Sequence, residues 1–111
     1  MNEMSFPLTG QRFEVDYGDL KATNAYREDG RSLTYEITGG ALAGNTATVE
    51  FQWRHLFGGS YVISWQEADG STVVHIDDFE GGRSLAFFTT PDGQFFRLEG
   101  SLKPVESTTQ N

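Results

Sequence analysis

The strongest constraint in this chain is a period-two alternation of apolar and polar residues, repeated in short runs and cut off each time by glycine. Phe13, Val15 and Tyr17 alternate with Arg12, Glu14 and Asp16, and Leu33, Tyr35 and Ile37 with Ser32, Thr34, Glu36 and Thr38. Ala47, Val49, Phe51 and Trp53 alternate with Thr46, Thr48, Glu50, Gln52 and Arg54. Successive side chains leave a strand on opposite faces, so each run has one buried and one wet side. Tyr61, Ile63, Trp65 and Glu67 share a face of the next run, against Val62, Ser64 and Gln66. Further strands are expected over 20–26, 72–79, 84–90 and 94–102, with turns at pairs such as Gly18-Asp19, Gly58-Gly59 and Asp69-Gly70. No helical period of useful length occurs. The pattern predicts an all-β, up-and-down antiparallel barrel of about eight strands, whose interior holds packed side chains or one small ligand.

With 111 residues, one hydrophobic core is expected, in a single domain over 1–102 followed by a polar tail over 103–111. Nine Phe, four Tyr and two Trp supply the large buried areas that so short a chain needs. Sixteen acidic against eight basic residues give a net charge of −8. Such a surface repels phosphate backbones and anionic lipid, which argues against nucleic-acid and membrane-surface partners. No apolar run approaches the roughly 18 residues needed to span a bilayer. Met1 to Gly10 shows no basic region followed by an apolar stretch, and the chain has no cysteine, so a cytoplasmic protein without disulfides is expected.

On the inner face, polar residues that share the parity of apolar ones carry the information. Glu67 continues the face of Ile63 and Trp65, which places a carboxylate in, or at the mouth of, an apolar cavity. Burial there would raise its pKa and suit it to acid–base work; the bland reading is a strand-end Glu turned to solvent. Tyr17 and Tyr35 have inner parity and could donate to a ligand or simply pack. His75 and Asp77 depend on register. A two-residue turn at Asp69-Gly70 pairs Trp65 with Val74 and turns His75 outward. A three-residue loop over Ala68-Asp69-Gly70, with Gly70 left-handed, pairs Trp65 with Val73 and Ile63 with His75, and turns the imidazole inward. Both registers are allowed. His55 and His75 lack metal-ligand spacing, so no metal or other cofactor is expected. No phosphate loop or nucleophile elbow occurs either.

Three segments carry a family likeness: "LTYEITGGALAGN" over 33–45, "YVISWQEADGSTVVHIDDFEGG" over 61–82, and "TTPDGQFFRLEG" over 89–100. Together, across 10–102, they resemble the calycin-type domain of MoaF-like proteins and are similar to bacterial phenolic acid decarboxylases. The resemblance implies a lipocalin-like, eight-stranded barrel with its ligand inside, often as a homodimer. The decarboxylase pattern implies two tyrosines on the first strand, an arginine after Ala-Gly, and the glutamate of Ser-Trp-x-Glu. Here Tyr17 and Glu67 match, while Val15 and Asn45 stand at the other two positions. Those departures point away from hydroxycinnamate decarboxylation. The likeness also favours the register that turns His75 inward.

The combined expectation is a cofactor-free barrel around a small aromatic or planar organic ligand. Glu67, Tyr17 and His75 are the candidate catalytic groups if it is a lyase or isomerase. Tyr35, Ile37, Asn45, Ile63, Trp65, Val73 and Asp77 are the candidate ligand contacts. The rival expectation is a non-catalytic dimeric assembly protein that uses Val62, Val74 and Ile76 as an outward apolar patch.

Overall fold

The computed structural model describes residues 5–105. Nine strands follow in order: β1 Arg12–Asp16, β2 Lys21–Tyr26, β3 Ser32–Gly39, β4 Thr46–Glu50, β5 Gln52–Phe57, β6 Ser60–Gln66, β7 Thr72–Asp78, β8 Arg83–Thr89 and β9 Phe95–Pro104. They form one antiparallel sheet in the order β4-β3-β2-β1-β9-β8-β7-β6-β5. Every neighbour is a sequential hairpin partner except β1 and β9, which zip the first strand to the last. The result is a nearly closed, up-and-down barrel, and among the described residues no helix is long and apolar enough to cross a membrane.

Nine strands replace the expected eight because the fourth run breaks at Phe51. The chain turns a corner there: the Phe51 amide donates to the Arg31 carbonyl at 2.9 Å, and β4 pairs with β3 while β5 pairs with β6. Facing is kept through the corner, since Val49 and Phe51 are both buried inward. The two edges of the sheet therefore meet where one bent segment passes from one edge to the other, with no ladder between β4 and β5. At its C-terminal end β9 runs past the expected boundary, so Lys103 and Pro104 pair with Glu14 and Phe13 of β1. Residues 106–111 of the expected tail lie outside the described residues, as do residues 1–4.

The two ends of the barrel differ. One end is plugged by aromatic rings. Phe6, from the segment before β1, lies 4.8 Å from Tyr26, 5.1 Å from Phe51, 5.4 Å from Trp53 and 6.0 Å from Tyr61 (ring centroids). Phe13 and Phe79 close the same end with centroids 4.8 Å apart. Tilted and edge-on contacts of this kind add about 0.5–1.5 kcal/mol per pair beyond the area they bury. The opposite end, ringed by the β1–β2, β3–β4, β6–β7 and β8–β9 connections, stays open.

The β6–β7 hairpin decides the register of the open half. Gly70 has φ +94°, its amide donates to the Glu67 carbonyl at 2.9 Å, and the Glu67 amide donates to the Ser71 carbonyl at 2.8 Å. The loop is thus the three-residue one, which only a left-handed Gly70 closes without strain. Trp65 pairs with Val73 and Ile63 with His75. His75 points inward.

Candidate functional site

A cavity of about 640 Å³ occupies the open half of the barrel. Its walls are apolar side chains of the inner parity, among them Val15, Ile37, Val73 and Phe88, with Leu42 and Phe96 at the rim. The polar groups fall into two layers.

The outer layer is built on Glu67. Leaving β6 with the parity of Trp65, its carboxylate accepts from the Trp65 indole (Nε1 to Oε2, 2.8 Å) and from the Tyr35 hydroxyl of β3 (to Oε1, 2.8 Å). The Tyr35 and Trp65 rings stack at 6.2 Å with 27° between their planes. Burial, the hydrogen bond to Glu67 and that carboxylate's charge push the Tyr35 phenol above its usual range, so it remains a donor. Each Glu67 oxygen still has acceptor capacity after one bond. Tyr35 and Trp65, expected as walls, also orient the carboxylate.

The inner layer comes from β7, β8 and the residue after β1. Ser84 donates to Asp77 Oδ1 at 2.6 Å, and its hydroxyl lies 2.7 Å from the Tyr17 hydroxyl. A serine has one proton. With that proton spent on Asp77, Tyr17 must donate to Ser84, which fixes a chain running Tyr17 to Ser84 to Asp77. Burial, followed by the charge of Asp77, pushes the Tyr17 phenol up and keeps its proton in place. His75 is flanked by Trp65 (5.2 Å between centroids) and Tyr17 (6.4 Å). Its Nδ1 faces Asp77 Oδ1 at 3.4 Å, which leaves Nε2 as the ring nitrogen available to the cavity. Asp77 is 0% exposed, and its second oxygen, Oδ2, has no hydrogen-bond partner.

The MoaF-like family profile matches residues 9–103, most of the barrel just described. The chain belongs to the MoaF-like family. Among solved structures, it is similar to a crystal structure described as a candidate beta-lactamase from Burkholderia vietnamiensis. The two are 50% identical with a TM-score of 0.91, over 93% of this chain and 100% of that one. A comparison with curated proteins finds no match.

In this MoaF-like barrel, Tyr17, Tyr35, Ile37, Asn45, Trp65, Glu67, Val73 and His75 all reach the cavity. Two expected contacts do not. Ile63 and Asp77 are fully buried behind the wall, Ile63 in the core and Asp77 beneath Ser84 and His75, so neither offers a ligand a surface. Asn24, 3% exposed on β2, lines the cavity and is a functional candidate not expected from the sequence; Ser84, fully buried behind the wall, positions Tyr17 and Asp77. The inner parities Ala22-Asn24-Tyr26 and Ser84-Ala86-Phe88 were the available signals, but small residues there left the alternation faint. His55 stands apart on β5, its Nε2 within 2.8 Å of the Gly58 carbonyl oxygen.

On the outside, Val62 pairs with Ile76, Ile76 with Leu85, and Val74 with Phe87. Phe87 stacks on Phe95 at 6.2 Å, and the Arg97 guanidinium covers the Phe95 ring at 4.7 Å. These side chains form a continuous outward apolar patch across β6 to β9.

Proposed function

We propose that this barrel binds a small, planar, partly apolar organic molecule in its open half, in a cytoplasmic setting. One observation carries the reading: an apolar cavity large enough for such a ligand holds a carboxylate oriented by two donors, the arrangement of a few fixed polar groups in a greasy pocket. The test is the neutral fluorophore N-phenyl-1-naphthylamine, which brightens on entering apolar sites. Wild-type protein is expected to enhance and blue-shift its emission. Val73→Phe and, independently, Ala86→Leu, both filling the cavity, are expected to abolish the change while circular dichroism stays native. Enhancement that survives both variants would place the dye elsewhere and defeat the reading.

A second reading, a cofactor-free lyase or isomerase, is favoured by the inner layer. His75 backed by Asp77 supplies a base on the cavity floor, and the chain from Tyr17 through Ser84 orders the carboxylate behind it. It is tested by ultraviolet absorbance of a hydroxycinnamate: an unchanged spectrum at high protein concentration rejects decarboxylation. The description of the Burkholderia vietnamiensis protein gives no support for lactam hydrolysis here, because the chain has no Ser-x-x-Lys run and none of its eight basic residues lines the cavity.

We also propose that a second copy of the chain covers the patch around Val74, as a homodimer would. Val74→Lys is then expected to delay elution in sizing chromatography to that of a monomer. Identical elution of variant and wild type would count against the dimer.

A further inference from the structure

The cavity binds, on the reading above, something planar; its electrostatics say more. All eight Arg and Lys residues are among the described residues, and none lines the cavity. The acidic side chains that do are Glu67 and Asp69, side by side on the β6–β7 rim. Asp69 accepts from the Ser71 amide at 2.8 Å, and that bond holds its carboxyl below the usual range, so it is ionised at neutral pH. Glu67 keeps free acceptor capacity on both oxygens and is held at the polar edges of Tyr35 and Trp65 by one bond from each.

An entering carboxylate would meet two like charges at the rim and no cation to neutralise it. His75, the one group that could become positive, stands deeper with Asp77 beside it. An entering organic cation would meet a carboxylate with unused lone pairs, a second carboxylate at Asp69, and the field of a chain carrying net −8. Two carboxylates in a cavity without a lysine or arginine attract ammonium- and amidinium-type groups by charge, and the low-dielectric walls strengthen that attraction.

We infer that the cavity selects planar organic cations, aromatic amidines or amines, seating the charged group on the free lone pairs of Glu67 and the ring against Val73 and Phe88. The inference rests on the cavity being a binding site and adds the charge class of its occupant.

The experiment compares three molecules of one shape and different charge. Benzamidine is cationic, benzamide neutral and benzoate anionic, and each displaces bound N-phenyl-1-naphthylamine from wild type, Glu67→Gln and Asp69→Asn. Wild type is expected to bind benzamidine about tenfold tighter than benzamide, with benzoate weakest. In Glu67→Gln, benzamidine falls to the level of benzamide. Asp69→Asn retains part of the preference, which keeps the test decisive should Glu67→Gln fold poorly. Benzoate binding as tightly as benzamidine, or an order unchanged in Glu67→Gln, overturns the inference. Dye that binds the cavity but is displaced by none of the three overturns it and leaves the cavity reading standing. Dye that never binds removes both.

Discussion

Phe6→Ala is expected to destabilise the barrel by about 3–5 kcal/mol, the usual range for removing a buried Phe. That is a large part of the roughly 5–15 kcal/mol that holds a domain of this size together. The ring is 1% exposed and lies against Tyr26 of β2, Phe51 at the corner, Trp53 of β5 and Tyr61 of β6. Those partners come from both sides of the place where β4 and β5 lack a ladder. Packing of one side chain therefore joins two edges that backbone hydrogen bonds leave apart. Alanine would open a void between them, and rings this size cannot collapse into it without leaving their own contacts. Urea unfolding followed by tryptophan fluorescence measures the loss. A midpoint shift worth less than about 1 kcal/mol would show that the plug is dispensable.

Asp77→Asn is expected to act in the opposite direction, raising stability by about 1–2 kcal/mol. The carboxylate is completely buried, one oxygen has no partner, and its nearest cationic candidate, His75 Nδ1, is at 3.4 Å. An unsatisfied buried polar atom costs about 1–3 kcal/mol, and more when charged. Asparagine keeps the carbonyl oxygen that accepts from Ser84 and discards the charge; its amide would stand where Oδ2 stands, still unpaired, so the gain comes from the lost charge alone. The Tyr17 and Tyr26 phenols, both pushed up by the charge of Asp77 after burial itself, would return part of the way towards their ordinary range. Denaturation of the two proteins at neutral pH gives the sign directly. A loss of stability instead would mean that the carboxylate's contacts with Ser84 and His75 outweigh the cost of burying it. A gain would mark the carboxylate as kept against the interest of stability, as buried charges at functional sites often are.

Alternation made the strands legible, and their faces with them, because parity survives any bend that keeps a residue's side. For the same reason the corner at Phe51 was invisible: Val49, Phe51 and Trp53 keep inner parity through it, and nothing in the run announces a change of partner. Inward placement of His75 hung on one backbone angle, at Gly70, which the residues allowed in two forms. Glu67 could be assigned to the cavity from its parity with Trp65. Its bond to Tyr35 could not, since that contact spans β6 and β3, which only a rolled sheet brings face to face. The chain from Tyr17 through Ser84 to Asp77 likewise needs β1 zipped to β9 and β9 to β8. Phe6 belongs to no periodic run at all. A solitary aromatic before the first strand looks like loop until the opening it fills has been formed.

Gly100 of β9 sits so close to the Asp16 carbonyl that a Cβ would overlap it, which pins the β1–β9 zipper at a fixed spacing. Between β4 and β5 no ladder bonds cross, and the two edges are joined by side chains alone, Phe6 at the plugged end and the Tyr35–Glu67 bond at the open one. Girth in this barrel is thus adjustable on one side only. A wider guest can spread the walls there by trading away the Tyr35–Glu67 contact, without breaking any rung of the sheet, whereas the opposite wall acts as a fixed jaw. Enlarging the chamber by design should start from Leu42, Asn45 and Ala47, beside the free seam, and leave the glycine untouched.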